Sequence, residues 1–311
     1  MRIGELLFEW NDLEGATRHL LGGIERVLEW VCLGEATSRL LEVTGTHDRL
    51  GRLEEVDADA AHGVVPGYIA LARVKQAKGN TEGALEALRK VEQVAQSSRL
   101  RSLWNDRAER CGEAWLARLW MAEGDLRAAN RWAQDRTLSA TDDPDYSSEL
   151  EYITLARLLI AQGRNEEAEH LLGRLVEAAE AGSRGRTVTE LLVLQALVLR
   201  ARNDKPEALT TLRRAVTLAE PEGYIRTFAD EGEPMADLLQ QLYGAWRTEQ
   251  PGEVPLDYIG KLLKALGAEV AVATGVPLRG REHPAGLTSR EVEVLGLVAA
   301  GMTSAQIARE L

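Results

Sequence analysis

The 311-residue chain has few of the residues on which several classes of protein depend. Its two cysteines, Cys32 and Cys111, form no CxxC pair, which argues against a zinc site and a disulfide scaffold and favours a reducing compartment. The five histidines are scattered, and none lies at metal-ligand spacing from Cys or Asp. No apolar run is long enough to span a bilayer, and no signal peptide follows Met1. We therefore predict a cytoplasmic protein with no metal and no membrane contact.

Positive charge is also in deficit. Lys and Arg number 37 against 49 Asp and Glu, which gives a net charge of -12 and a pI of about 5.1. Because phosphate contacts need clustered Lys and Arg, the bulk of the chain is not expected to bind nucleic acid. Aromatic residues make up only 5% of the sequence, whereas Leu, Ala, Glu and Arg dominate it. Such a composition is typical of helices.

A repeated pattern occupies much of the chain. In five segments a Gly or Asn precedes an Ala by five residues, and a small residue stands seven positions before the Gly or Asn. Gly and Asn accept the left-handed conformation that ends a helix, and small residues let two antiparallel helices approach closely. The pattern predicts an all-α solenoid with one helical hairpin per repeat. The turn residues are Asn11, Gly79, Gly124, Gly163 and Asn203; the alanines are Ala16, Ala84, Ala129, Ala168 and Ala208; the small residues are Gly4, Ala72, Ala117, Ala156 and Ala196.

The alternative for these segments is an irregular helical bundle, but three positions that recur in five segments favour a regular array. The pattern resembles the tetratricopeptide repeat, although the repeats are longer than usual. The interval between Asn11 and Gly79 is the longest, and it holds the polar segment 39–65, which we interpret as an insertion or a degenerate repeat. Arrays of this kind bind ligands or peptides on a concave face and rarely catalyse.

One position of the repeat predicts a binding surface. The residue after the small residue is expected to face the inner groove, and in three successive repeats it is an arginine: Arg73, Arg118 and Arg157. The forked guanidinium is suited to carboxylate or phosphate groups, so these three residues form a candidate ligand groove. The alternative is that each arginine pairs with a neighbouring glutamate and only solubilises the groove.

The last 25 residues, LTSREVEVLGLVAAGMTSAQIAREL, predict two short helices joined by a glycine turn. Thr288 to Glu291 and Thr303 to Gln306 each form a capping box, and Gly301 ends the first helix. Two capped helices joined in this way form the first half of a helix-turn-helix unit. Prolines interrupt the helical pattern upstream, so we predict a linker over 246–286 with one short amphipathic helix at 256–266.

Two stretches carry a resemblance to a known family. The segment LAEPEGYIRTFADEGEPMADLLQQL (218–242) closely resembles the end of the repeat region in large MalT-like, ATP-dependent LuxR-type transcriptional regulators, and GELLFEWNDLEGATRHL resembles an early repeat of the same proteins. Residues 287–311 resemble the start of the LuxR-type DNA-binding domain. The resemblance implies a sensor solenoid at 1–245, a linker at 246–286 and an incomplete helix-turn-helix at 287–311 that lacks the recognition helix. It also implies that Arg290, Thr303 and Ser304 contact the DNA backbone in a full-length parent.

The resemblance implies a parent protein that binds nucleotide upstream, senses a small-molecule inducer or a protein through the solenoid, and binds DNA with its C-terminus. This chain contains no GxxxxGK[ST] loop, so we expect no ATPase, no cofactor and no enzymatic activity in it. Both ends are expected to be truncated. The alternative function is a stand-alone helical-repeat adaptor that binds a protein partner without DNA, and self-association is compatible with either.

Overall fold

The computed structural model describes residues 2–26, 50–97, 103–249 and 256–268. Every regular element in these ranges is a helix, so the all-α prediction is confirmed. The described helices belong to one compact unit. They are α1 (Arg2–Glu9), α2 (13–26), α3 (Leu50–Ala77), α4 (Thr81–Ser97), α5 (Leu103–Ala122), α6 (Leu126–Asp135), α7 (Glu149–Ala161), α8 (Asn165–Ala181), α9 (Gly185–Ala201), α10 (Lys205–Ala219), α11 (Arg226–Ala229), α12 (Glu233–Glu249) and α13 (Leu256–Ala265).

The backbone confirms the predicted turns. All five turn residues have a positive φ, between 63° at Asn11 and 81° at Gly124, which is the conformation that Gly and Asn accept most readily. Each turn leads directly into the second helix of its hairpin. In three hairpins an aspartate caps that helix, as when the carboxylate of Asp125 accepts a hydrogen bond from the amide of Ala128. The described part of the array therefore contains five such hairpins: α1–α2, α3–α4, α5–α6, α7–α8 and α9–α10.

Small residues hold the two helices of each hairpin close together. The recurrent alanines of the second helices are at most 1% exposed. In the first hairpin an added Cβ on Gly4 would lie 2.6 Å from Cγ of Leu20, so α1 and α2 cross at a distance that only glycine allows. Leucines such as Leu172 and Leu212 fill the seam and are fully buried. Burial of one such leucine contributes about 1.5–3 kcal/mol to stability.

The segment that we interpreted as an insertion is partly regular. Helix α3 is continuous from Leu50 to Ala77, with Pro66 inside it, so residues 50–65 lengthen the first helix of the second hairpin instead of interrupting the array. Because these residues lack the small-residue pattern of the other repeats, the sequence did not reveal their helix. Residues 39–49 lie outside the described part of the chain.

The predicted linker also contains a packed helix. Helix α13, predicted at 256–266, is built into the hydrophobic core through Tyr258, Ile259, Leu262 and Leu263, each at most 6% exposed. The hydroxyl of Tyr258 donates to the carbonyl of Tyr224. Its ring also meets that of Phe228 edge-on, with centroids 6.5 Å apart. Helix α13 thus shares one hydrophobic core with the later repeats.

The two ends of the array meet. The amide of Ile225 donates to the carbonyl oxygen of Glu9 at 2.7 Å, and the indole Nε1 of Trp10 donates to the carbonyl of Glu222 at 2.9 Å. The first hairpin thus contacts the segment that leads into α11. An open solenoid, in which each repeat contacts only its neighbours, has no such contacts. The array closes on itself, and its inner face becomes the wall of a cavity.

Candidate functional site

A cavity of about 850 Å³ lies on the inner face of the closed array. Its wall is formed mainly by the first helix of each hairpin, together with α11 and the residues that follow it. Arg73, Arg118 and Arg157, the three arginines of the predicted groove, all lie in this wall. The other charged lining residues are Glu9, Glu123, Arg186, Glu190, Arg226, Asp230 and Glu231, and the large apolar ones are Trp115, Met121, Ile160, Leu194 and Leu197.

Glu190 on α9 joins two of the arginines. Its Oε1 lies 3.1 Å from Nη1 of Arg118 and 3.0 Å from Nη2 of Arg157. Arg157 also donates from Nη1 to Oε1 of Glu231 at 2.6 Å. Arg118 donates from Nε to the hydroxyl of Thr154 at 3.0 Å. These contacts connect the third, fourth and fifth hairpins with the residues after α11 across the cavity.

Glu9 on α1 forms the corresponding junction at the place where the ends of the array meet. Its side chain is 1% exposed, and its Oε1 lies 3.1 Å from Nη2 of Arg73 and 2.5 Å from Nη2 of Arg186. Its Oε2 accepts a hydrogen bond from Thr227 at 3.1 Å. One buried carboxylate therefore holds α3, α9 and α11 against α1. We call Glu9, Arg73, Arg186, Thr227 and Ile225 the closing contacts.

Neither Glu9 nor Glu190 was singled out in the sequence, although a signal was available. Each is the one acidic residue within an apolar run: Glu9 in LLFEW and Glu190 in TVTELLVLQALVL. Because a charge inside an otherwise buried helix face needs a partner, such a residue marks an ion pair. The sequence does not show which distant arginine supplies that pair.

Aromatic rings separate the arginines along the cavity wall. The guanidinium carbon of Arg73 lies 4.4 Å from the ring centroid of Phe8 and 4.9 Å from that of Trp115. Arg118 covers Trp115 at 4.4 Å, and Arg226 lies 5.6 Å from Phe8. Each such contact is attractive by about 0.5–2 kcal/mol, more where water is excluded. Three arginines and two rings thus form a continuous chain of cation–π contacts.

Burial and charge shift the protonation of these groups in opposite directions. Burial by itself would raise the pKa of Glu190, but Arg118 and Arg157 hold the pKa of that carboxyl well below its usual range. Burial raises the pKa of Glu231 in spite of its contact with Arg157. Burial, reinforced by repulsion from Arg157 and Arg73, lowers the pKa of Arg118 to about 10 although Glu190 opposes the change. Arg118 therefore stays charged at neutral pH.

The predicted DNA-backbone contacts, Arg290, Thr303 and Ser304, lie outside the described residues. Within the ranges that the structure describes, no group of three or more His, Cys, Asp or Glu side chains could hold a metal ion. None of the helices described there is long and apolar enough to cross a membrane.

Stacked hairpins with left-handed turn residues and an inner wall of first helices define a tetratricopeptide-like helical-repeat protein. More specifically, the chain belongs to the family described as the MalT-like TPR region, whose model matches residues 46–244. This match includes residues 46–65, which the repeat positions had left unmatched. A second match, to the bacterial regulatory proteins of the luxR family, covers residues 285–311.

Similar proteins carry the name HTH-type transcriptional regulator MalT. The one from Vibrio campbellii is 24% identical over 259 residues, which is 78% of this chain and 28% of the relative. Those from Klebsiella pneumoniae and Cronobacter sakazakii are each 28% identical, over 76% and 84% of this chain and over 27% and 31% of the relatives. The chain thus spans less than a third of the length of these relatives.

Proposed function

We propose that this chain is the sensing region of a LuxR-type transcriptional regulator, in which the helical-repeat array receives an inducer and residues 285–311 belong to the DNA-binding element. The observation that carries the proposal is the presence of both family matches in one chain, with the repeat region at 46–244 preceding the luxR-family match at 285–311. The name of the similar proteins supports the same function.

The cavity on the inner face of the array supports the sensing role. It is large enough for a small molecule, since ligand pockets usually measure about 300–1,000 Å³. Its closure depends on a few side-chain contacts at Glu9. A ligand that binds the closed array more tightly than an open array shifts the population toward the closed state. Such a shift can transmit the presence of the ligand to another part of the protein.

The DNA-binding role is tested by genome-wide chromatin immunoprecipitation of the protein that carries this chain, tagged at its native locus. We expect enriched sites that share one sequence motif. Arg290→Ala should reduce occupancy at all of them, because loss of a phosphate contact weakens binding without regard to sequence. Arg89→Ala, at an exposed arginine of α4, is the matched control and should leave occupancy unchanged. Wild-type protein without enriched sites would contradict the proposal.

A stand-alone adaptor is the second candidate, and exposed apolar residues on α1 favour it. Ile3, Leu6 and Trp10 are 59%, 42% and 49% exposed, and their spacing places them along one side of the first hairpin. An adaptor would show no DNA occupancy in the experiment above. It would instead form a stable complex with a protein partner that Leu6→Asp abolishes.

A further inference from the structure

Arg118 is a cavity arginine with a buried terminal nitrogen that has no acceptor in the described part of the chain. Its side chain is only 10% exposed. Nη1 pairs with Glu190 and Nε donates to Thr154, but Nη2 is buried and has no acceptor among the described residues. A buried donor without a partner costs about 1–3 kcal/mol, and more in a charged group. The fold therefore maintains an unmet hydrogen-bonding capacity at this atom.

The cavity wall as a whole has five arginines and five carboxylates, but within the ion-pair network around Arg118 the arginines outnumber the carboxylates. Arg73, Arg118, Arg157 and Arg186 share three carboxylates, those of Glu9, Glu190 and Glu231. Arg226 pairs separately with Asp230. Nε of Arg73 and Nε of Arg157 are also buried without an acceptor in the described part of the chain. An anionic group is the ligand chemistry that meets both the unused donors and the surplus charge.

The arginines are held in fixed positions. Trp115 lies between the guanidinium groups of Arg73 and Arg118, and Glu190 ties Arg118 to Arg157. Groups fixed before binding lose little conformational entropy when a ligand arrives. Beside them Met121, Leu194 and Leu197 give the wall an apolar portion.

We propose that the cavity binds a small molecule with one anionic head group, a carboxylate or a phosphate, and a largely apolar body. The head group accepts a hydrogen bond from Nη2 of Arg118 and is attracted by Arg73 and Arg157. The body lies against the apolar part of the wall. This assignment rests on the sensing role proposed above and names the class of ligand that the sensor receives.

Glu190 makes the proposal testable in two directions. Its carboxylate already occupies one side of Arg118 and Arg157, so it repels an incoming anion. Removal of this charge should strengthen anion binding, whereas removal of the arginine should weaken it. A purely structural ion-pair network predicts that both changes lower stability and that neither affects a bound anion.

The experiment is isothermal titration of the full chain at constant ionic strength. The probes are phenyl phosphate and 3-phenylpropionate, with 3-phenylpropanol as the neutral match. We expect saturable binding of at least one anion and none of the alcohol. Arg118→Ala should weaken anion binding about tenfold or more, the loss expected for one hydrogen bond to a charged group. Arg118→Lys should recover part of it, because lysine keeps the charge but lacks the fork.

Arg110→Ala is the matched control. Arg110 lies two turns earlier on α5, pairs with Glu151 and is not part of the cavity wall, so its loss should leave anion affinity unchanged. Glu190→Gln should bind the anion more tightly than wild type. If Arg118→Ala does not fold, the affinity of Glu190→Gln tests the proposal instead. The proposal is overturned if neither anion binds to wild type, if the alcohol binds equally well, or if Glu190→Gln shows no gain.

The titration tests the ligand class, and the chromatin immunoprecipitation tests the proposed function, so failure of one can be told from failure of the other. Absence of anion binding with intact DNA occupancy overturns only the assigned ligand class. Absence of DNA occupancy overturns the regulatory role and leaves the titration result standing.

Discussion

Glu9 and Thr227, 218 positions apart in the sequence, are joined by a hydrogen bond of 3.1 Å from the threonine hydroxyl to Oε2 of the glutamate. The same carboxylate receives Arg73 and Arg186 through its other oxygen. A single buried side chain thus links the first hairpin to α11, and both Glu9 and Thr227 line the cavity.

The closing contacts should make Glu9 important for stability. Glu9→Gln removes the charge that compensates Arg73 and Arg186, and loss of one partner of a buried pair costs about 3–5 kcal/mol, at the lower end here because Arg186 is 45% exposed. Urea unfolding followed by circular dichroism measures this loss. Glu14→Gln, at an exposed position of α2, is the control and should change the free energy of unfolding by less than about 0.5 kcal/mol.

Two glycines of the first hairpin should respond to alanine with opposite signs. Gly4→Ala places a Cβ 2.6 Å from Cγ of Leu20, so we expect a loss of about 1–3 kcal/mol from overpacking. Gly22→Ala meets no atom within 4 Å and lies inside α2, so it should stabilise by about 0.5–1 kcal/mol. Melting temperatures of the two variants, compared with that of wild type, measure both effects. Equal effects would show that the hairpin is not packed as described.

Helix α13 offers a test of whether the array ends at α12 or continues beyond it. Leu263 is fully buried, so Leu263→Ala should cost about 2–5 kcal/mol in the free energy of unfolding. Lys264→Ala, at the exposed neighbouring position, should be close to neutral. A loss below about 0.5 kcal/mol at Leu263 would instead assign α13 to a linker that does not contribute to the core.

As the pH falls, Glu190 and Glu231 should change the free energy of unfolding in opposite directions. The pKa of Glu190 is lowered from 4.5, so the stability it contributes is present above that value and is lost as the pH falls toward the lower folded pKa. The deficit of Glu190→Gln relative to wild type should therefore shrink below about pH 4.5.

The pKa of Glu231 is raised in the folded protein, so the folded state takes up its proton first and gains stability as the pH falls toward 4.5. Glu231→Gln removes this gain, and its stability relative to wild type should fall in the same range. Urea unfolding at intervals between pH 7 and pH 3.5 measures both differences. Parallel pH profiles for the two variants would contradict the assigned shifts.

The local features of this fold could be predicted from the sequence because they depend on neighbouring residues. A left-handed residue such as Gly124 and a buried alanine such as Ala129 five positions later are both determined within one hairpin, and both were predicted. The position of Arg118 on the inner face also follows from helical periodicity within its own hairpin. Whether that arginine binds a ligand stays a prediction.

Features that depend on distant residues could not be predicted in the same way. The pairing of Glu9 with Arg186 requires the superhelical path of five hairpins, and small rotations between successive repeats determine that path. The burial of Tyr258 in the predicted linker likewise depends on the position of α11, since nearby prolines gave the local sequence the character of a loop. The sequence pattern within each hairpin therefore indicated the repeat, but it did not indicate that the array closes on itself.

Closure of the array is the central claim, and hydrogen exchange at the amide of Ile225 tests it most directly. This amide donates to the carbonyl of Glu9, outside any helix of its own. Exchange resolved by residue in wild type and in Glu9→Gln compares the closed array with one in which the closing contacts are weakened. We predict that the Ile225 amide is strongly protected in wild type and exchanges much faster in the variant, while the amide of Leu192 in α9 keeps its protection. An Ile225 amide that exchanges in wild type at the rate of an unstructured peptide would show that the array is open and would contradict the account.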